Sequence, residues 1–141
     1  MLSTIINIEN VSKKKLELLK DFEFNWSLKA NENTHIFCAE VLDNVEGLVE
    51  FERLQSEFFN FMHLIEVSPK YRGTTVAGEL LAFVGLDSLN SGFDGFVVFE
   101  SKSLTYNYYI EKYGAKPIYG RRLHFDFEAT KNLIKTYLEV K

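Results

Sequence analysis

Val67-Ser68-Pro69-Lys70-Tyr71-Arg72-Gly73-Thr74-Thr75-Val76-Ala77-Gly78-Glu79-Leu80-Leu81 runs from an apolar strand, through a proline-marked exit and a short basic loop, into the first turns of a helix. The run leading into it, Phe58 to Val67, is apolar on both sides: Phe59, Phe61, Ile65 and Val67 on one, Phe58, Met62 and Leu64 on the other. Such a run is a strand covered on two faces. Downstream, Val76, Leu80, Phe83 and Val84 have i, i+4, i+7, i+8 spacing, which predicts a helix over 74–90 that Ser91-Gly92 stops. Phe93 to Glu100 is again nearly all apolar and predicts a second buried strand. Two such strands joined by a helix of this length form a right-handed parallel crossover.

Working outward, Thr4 to Ile8 reads as a short strand, and Ser12 as the N-cap of a helix carrying Leu16, Leu18 and Leu19. Residues 21–33 read as irregular. Strands follow at His35 to Val41 and, after an Asp43-Asn44 turn, at Glu46 to Gln55. Beyond the crossover come a helix over Leu104 to Tyr113 ending at Gly114, a hairpin within Ile118 to Phe127 around Gly120, and a terminal helix over Glu128 to Leu138. In the hairpin Leu123, Phe125 and Phe127 alternate with Arg122, His124 and Asp126. The order predicts an α/β (α+β) fold: one mixed, mostly antiparallel sheet with a parallel pair at its centre and helices on both faces.

The chain has 141 residues, 46% hydrophobic and 26% charged, an ordinary balance for one folded domain over 1–141. A formal charge of −4 argues against a non-specific nucleic-acid partner. Lys13-Lys14-Lys15 is the only basic cluster and reads as a solvated helix face. The single Cys38 sits in an apolar strand-like run and reads as a buried, inert thiol. His35, His63 and His124 lack metal-ligand spacing, so no metal site is expected. No apolar run approaches the ~20 residues of a membrane span, and the first residues lack a signal-peptide layout, so cytoplasm is the default compartment.

The loop after Val67 carries the chemistry. The first N–H groups of a helix have no intrahelical acceptors and lie at the positive end of its dipole. A pyrophosphate docks there if the side chains are small. Gly73, Thr74, Thr75, Ala77 and Gly78 are small or short, and Arg72 adds a cation. A merely well-capped helix start fits the same spacing.

Arg72-Gly73-x-x-Val76-Ala77-x-x-Leu80-Leu81 after Val67-x-Pro69 resembles the acetyl-coenzyme A loop of the GNAT N-acetyltransferase superfamily, Gln/Arg-x-x-Gly-x-Gly/Ala. Arg72 matches the first position and Ala77 the last. Thr75 stands where the family has its middle glycine. Phe93 to Glu100 is similar to the strand that opens a gap beside the first. Tyr109-Ile110-Glu111-Lys112-Tyr113-Gly114-Ala115 is similar to the helix ending Tyr-Glu-Lys-x-Gly-Phe, and Val45-Glu46-Gly47-Leu48-Val49 to the third strand. The similarity spans roughly residues 35 to 127.

The resemblance implies acetyl-coenzyme A as cofactor, bound by Val67, Arg72, Gly73, Thr74, Thr75, Val76, Ala77 and Gly78. Ser103 would replace a frequent asparagine contact. It implies transfer to a primary amine by direct attack, with a carboxylate as base and a tyrosine protonating the departing thiolate. Glu66 is the first candidate base and Glu50 its rival; Tyr109 is the candidate acid, with Tyr106 behind it. As Tyr106, Tyr109, Ile110 and Tyr113 have helical spacing, all of them also fit a core stripe. A Cβ at Thr75 is costly if that residue needs positive φ and cheap if it is helical. A relative that keeps the fold and binds coenzyme A, an acyl carrier or a protein without catalysis remains open. So do a homodimer through exposed strand edges and the identity of the acceptor, a small molecule or peptide, for which the acidic balance favours a cationic amine.

Overall fold

The structure, a computed structural model, describes residues 4–8, 22, 34–41 and 44–139. Its strands are β1 (Thr4–Asn7), β2 (Thr34–Val41), β3 (Asn44–Leu54), β4 (Phe59–Val67), β5 (Val97–Glu100), β6 (Lys116–Tyr119) and β7 (Arg122–Phe125). Its helices are α1 (Val76–Asn90), α2 (Tyr106–Tyr113) and α3 (Phe127–Tyr137), with a 3-10 turn at Pro69–Tyr71. The helix expected after Ser12 and the irregular stretch over 21–33 lie outside the described residues, Phe22 excepted.

All seven strands form one sheet in the order β1-β2-β3-β4-β5-β7-β6. Every pairing is antiparallel except β4 with β5, the expected central parallel pair. The α1 crossover explains that pairing, because parallel neighbours need a connection long enough to return the chain. Val76, Leu80 and Val84 of the expected stripe are buried against Val49, Phe51, Met62 and Val97, while Phe83 packs at a tilt against Phe37 at 4.6 Å. Arg53 pins the far end of α1 to β3 by a forked pair to Asp87 at 2.9 and 2.6 Å. Asn60 of β4 donates to the same carboxylate and to the Val84 carbonyl. A second, smaller core of Ile8, Phe22, Ile36, Cys38, Val45 and Leu48 lies on the opposite face.

Three expectations need correction. The two faces of β4 do not run straight through. Phe51 pairs with Met62 and Glu50 with Leu64, which leaves His63 as an extra residue, a β-bulge. Below it Asn60 and Met62 face α1; above it Ile65 and Val67 do, while Phe61, Leu64 and Glu66 take the opposite face. Second, the strand expected over Phe93 to Glu100 starts only at Val97. Phe93 to Phe96 form a tight turn closed by Phe96 N–H on the Phe93 carbonyl, with Asp94 and Gly95 at φ +56° and +80°. Third, Phe127 opens α3 instead of ending β7, because Asp126 takes the N-cap and accepts from Ala129 N–H at 2.9 Å.

Candidate functional site

The parallel ladder between β4 and β5 has only three steps, ending at Met62 opposite Phe99. The next residue of β4 is the bulged His63, and from there the strands part. The opening is a cavity of about 270 Å³ lined by Met62, His63, Leu64 and Ile65 on one wall and Phe99, Glu100, Ser101 and Lys102 on the other. Thr105 and Tyr109 close it toward α2. The same two residues border a second cavity of about 170 Å³, which reaches Val67, Arg72, Gly73, Thr74 and Ala77 on one side and Tyr108, Lys112 and Tyr113 on the other. The two cavities therefore lie side by side, one at the split in the sheet and one at the start of α1, with Thr105 and Tyr109 between them.

The end at α1 suits an anion. Ala77 and Gly78 N–H groups have no acceptor among the described residues, and Val76 N–H makes only a 3.4 Å contact with Thr74 Oγ1. Gly73 adopts φ +85°, and a Cβ there would meet nothing within 4 Å, so the chain leaves open space at this point. Arg72 reaches the Val67 carbonyl at 3.4 Å and stays exposed, and Lys112 faces it across the cavity. The Tyr108 hydroxyl bonds to Lys112, which lowers the phenol's pKa from its ordinary value and raises that of the ammonium.

Thr75 sits at φ −84°, ψ 2°, as the N-cap of α1. Its Cβ therefore carries no left-handed strain, and its hydroxyl donates to Glu79 Oε2 at 2.9 Å. Val76 is buried in the core, and the space beside Gly78 is filled by Tyr137. Of the expected loop residues, Val67, Arg72, Gly73, Thr74 and Ala77 line the groove; Val76 and Gly78 are buried, and Thr75 is exposed but outside the lining.

Tyr109 borders both cavities and packs edge-on against Phe99 at 4.9 Å. Burial, and then the neighbouring Tyr108, push its phenol above the ordinary value, so the proton is held firmly. Tyr106 is half-buried against the core and lines neither cavity. Ser103 lies exposed in the turn before α2; Ser101 and Thr105, hydrogen-bonded to each other at 2.8 Å, line the groove instead. Glu66 is buried, paired in register with Leu48, and Glu50 is half-buried opposite Leu64; neither is in the lining. The polar lining residues that sequence reasoning passed over include His63, Ser101, Lys102, Thr105, Tyr108 and Lys112.

The E. coli protein YhhK, solved with coenzyme A bound, superposes with a TM-score of 0.68 at 18% identity, over 87% of this chain and 98% of that one. A GNAT-family acetyltransferase from Staphylococcus aureus gives 0.63 at 14% identity, over 88% and 98%. This chain has the GNAT fold. The KacTA–DNA complex shares it too, with a TM-score of 0.62 at 10% identity over 94% and 98%. No family model matches the chain, and no curated protein matches it in sequence. A neighbour of this fold thus occurs in a DNA complex, and the expectation of no nucleic-acid partner rests on the net charge of −4 alone. Among the described residues, no helix is long and apolar enough to cross a membrane, and no group of three or more His, Cys, Asp or Glu side chains is placed to hold a metal.

Proposed function

We propose that this protein transfers an acetyl group from acetyl-coenzyme A to the nitrogen of a primary amine by direct attack within one ternary complex. The observation that carries the reading is the pair of adjacent cavities, an anion-suited one at α1 and one between the splayed strands β4 and β5, which meet at Thr105 and Tyr109. Its residues fit the cofactor. Gly73, Thr74 and the free amide of Ala77, flanked by Arg72 and Lys112, would hold the phosphates. The wall from Leu64 to Val67, with Ser101 and Thr105 opposite, would hold the pantetheine arm, much as a sheet edge takes an added strand.

Bound there, the cofactor supplies an activated acyl carbon. The chain's part is to orient the arm, exclude water along the apolar wall, and handle protons. Tyr109 holds a phenolic proton for the sulfur that leaves. The relatives of this fold solved with coenzyme A or acetyl-coenzyme A support the cofactor assignment. Cytoplasmic activity on a small-molecule or peptide amine completes the reading.

Thermal denaturation with acetyl-coenzyme A tests it. At a hundred times the dissociation constant, ligand adds ~2.7 kcal/mol, which raises Tm by on the order of 8 °C in a domain of this size. No shift at millimolar cofactor overturns the proposal. A shift without thiol release across a broad amine panel favours a coenzyme A-binding module without turnover.

A further inference from the structure

The geometry points to His63, held by Glu52, as the base that takes the proton from the acceptor amine; the inference rests on the acetyl-transfer reading above. His63 is the bulged residue at which β4 leaves β5, so its backbone marks the opening of the groove and its side chain lines it together with Tyr109. The imidazole lies on the sheet face opposite α1, beside the Phe61 ring at 5.0 Å. Glu52 of β3, register partner of Phe61, sits on the same face, and its Oε1 is 3.1 Å from His63 Nε2.

An ionised carboxylate only accepts, so His63 Nε2 must carry the hydrogen. The neutral ring then keeps its lone pair on Nδ1, which has no partner among the described residues. Glu52 thus orients the ring, fixes its tautomer and stabilises the imidazolium formed when Nδ1 takes a proton. Glu66, by contrast, is buried beside Leu48 and does not line the groove.

The protons balance. Of the three on an acceptor ammonium, one passes to His63 Nδ1 and is later released to water. The freed nitrogen lone pair forms the bond to the acyl carbon as the carbon–sulfur bond breaks. A second proton goes to the sulfur by way of Tyr109, and the third stays on the amide.

Two measurements test this, the first independent of turnover. Carbethoxylation of the whole protein by diethylpyrocarbonate, mapped by mass spectrometry, modifies His63, and saturating acetyl-coenzyme A slows that modification at least fivefold while His124 reacts as before. In the second, the best acceptor from a panel of a diamine, a lysine peptide and an aminosugar is used. His63→Ala lowers kcat/KM by about 10²- to 10⁴-fold, with acetyl-coenzyme A affinity within threefold of wild type, and added imidazole restores part of the rate. His63→Gln, which keeps side-chain bulk, shows the same loss, and Glu52→Gln a smaller one. Carbethoxylation indifferent to cofactor, variants that turn over like wild type, or a loss that imidazole does not relieve overturns the assignment of His63 while acetyl transfer stands. A wild-type protein that transfers nothing overturns the acetyl-transfer reading, and His63's role with it.

Discussion

The ring of Tyr137 in α3 fills the space that a side chain on Gly78 of α1 would need: a Cβ there would clash with Tyr137 Cε1. Gly78 is therefore an inter-helix contact, and the ring it admits packs in turn on Tyr113 at 6.1 Å. Gly78→Ala sets two effects against each other. Overpacking costs about 1–3 kcal/mol, and replacing glycine inside a helix returns about 1 kcal/mol. The expected net is a loss of about 1 kcal/mol, seen as a lower urea midpoint. In a Tyr137→Ala background the clash is gone, and the same substitution should turn stabilising. A Gly78→Ala penalty unchanged in that background rules out the contact as its cause.

The crossover was legible because its signals are long and redundant. Two apolar runs flank a helix whose stripe of Val76, Leu80 and Val84 does reach the core. The loop residues Arg72, Gly73, Thr74 and Ala77 were legible for a related reason, since a strand exit and a helix start confine them to one short segment. What sequence could not carry is register. One extra residue at His63 reverses which side chains of β4 face α1, and period-two reasoning has no means of counting it. Turn chemistry misled in the same way at Phe93, where an apolar run hides a left-handed Asp94-Gly95 pair.

Glu46 is buried in β3 with its Oε1 unpartnered among the described residues. Burial, and then the charge of Glu79, raise its carboxyl above the ordinary value of 4.5. As pH rises through 4.5, the unfolded chain releases this proton first, so the folded state binds more protons and stability falls. The loss is complete once the folded carboxyl has also titrated. Glu46→Gln removes the charge and should raise Tm by a few degrees at pH 7.5 and hardly at all at pH 4. Equal increments at both pH values contradict the assignment.

Asp126 has the opposite sign. It is the N-cap of α3, and the Lys116 ammonium bonded to it, together with the Ala129 N–H, holds its carboxyl below the ordinary value of 3.8. Its contribution is therefore present above pH 3.8 and lost as pH falls through the depressed folded value. Asp126→Ala should cost about 1 kcal/mol at neutral pH, and Asp126→Asn less, since an amide oxygen still caps. Both penalties should shrink on acidification below pH 3.8. Urea midpoints measured across that range decide it; a penalty constant with pH removes the charged cap as its origin.

Tyr109 joins the two cavities, and its two parts have separable jobs. The ring packs on Phe99 at 4.9 Å and on Tyr113 at 6.0 Å, while the hydroxyl is the group available to the groove. Tyr109→Phe keeps the ring contacts, so Tm and acetyl-coenzyme A affinity should stay near wild type. Loss of the proton donor should lower kcat by about 10- to 100-fold with little change in KM. Burial raises this phenol above 10, so the folded protein keeps its proton past the pH at which a free tyrosine ionises. Wild-type turnover should accordingly show no alkaline decline from this residue up to pH 10. Tyr109→Ala should lose both stability and rate, through the cavity left beside Phe99. If Tyr109→Phe turns over at the wild-type rate, the hydroxyl carries no proton in the reaction, and the ring alone accounts for this residue's place between the cavities.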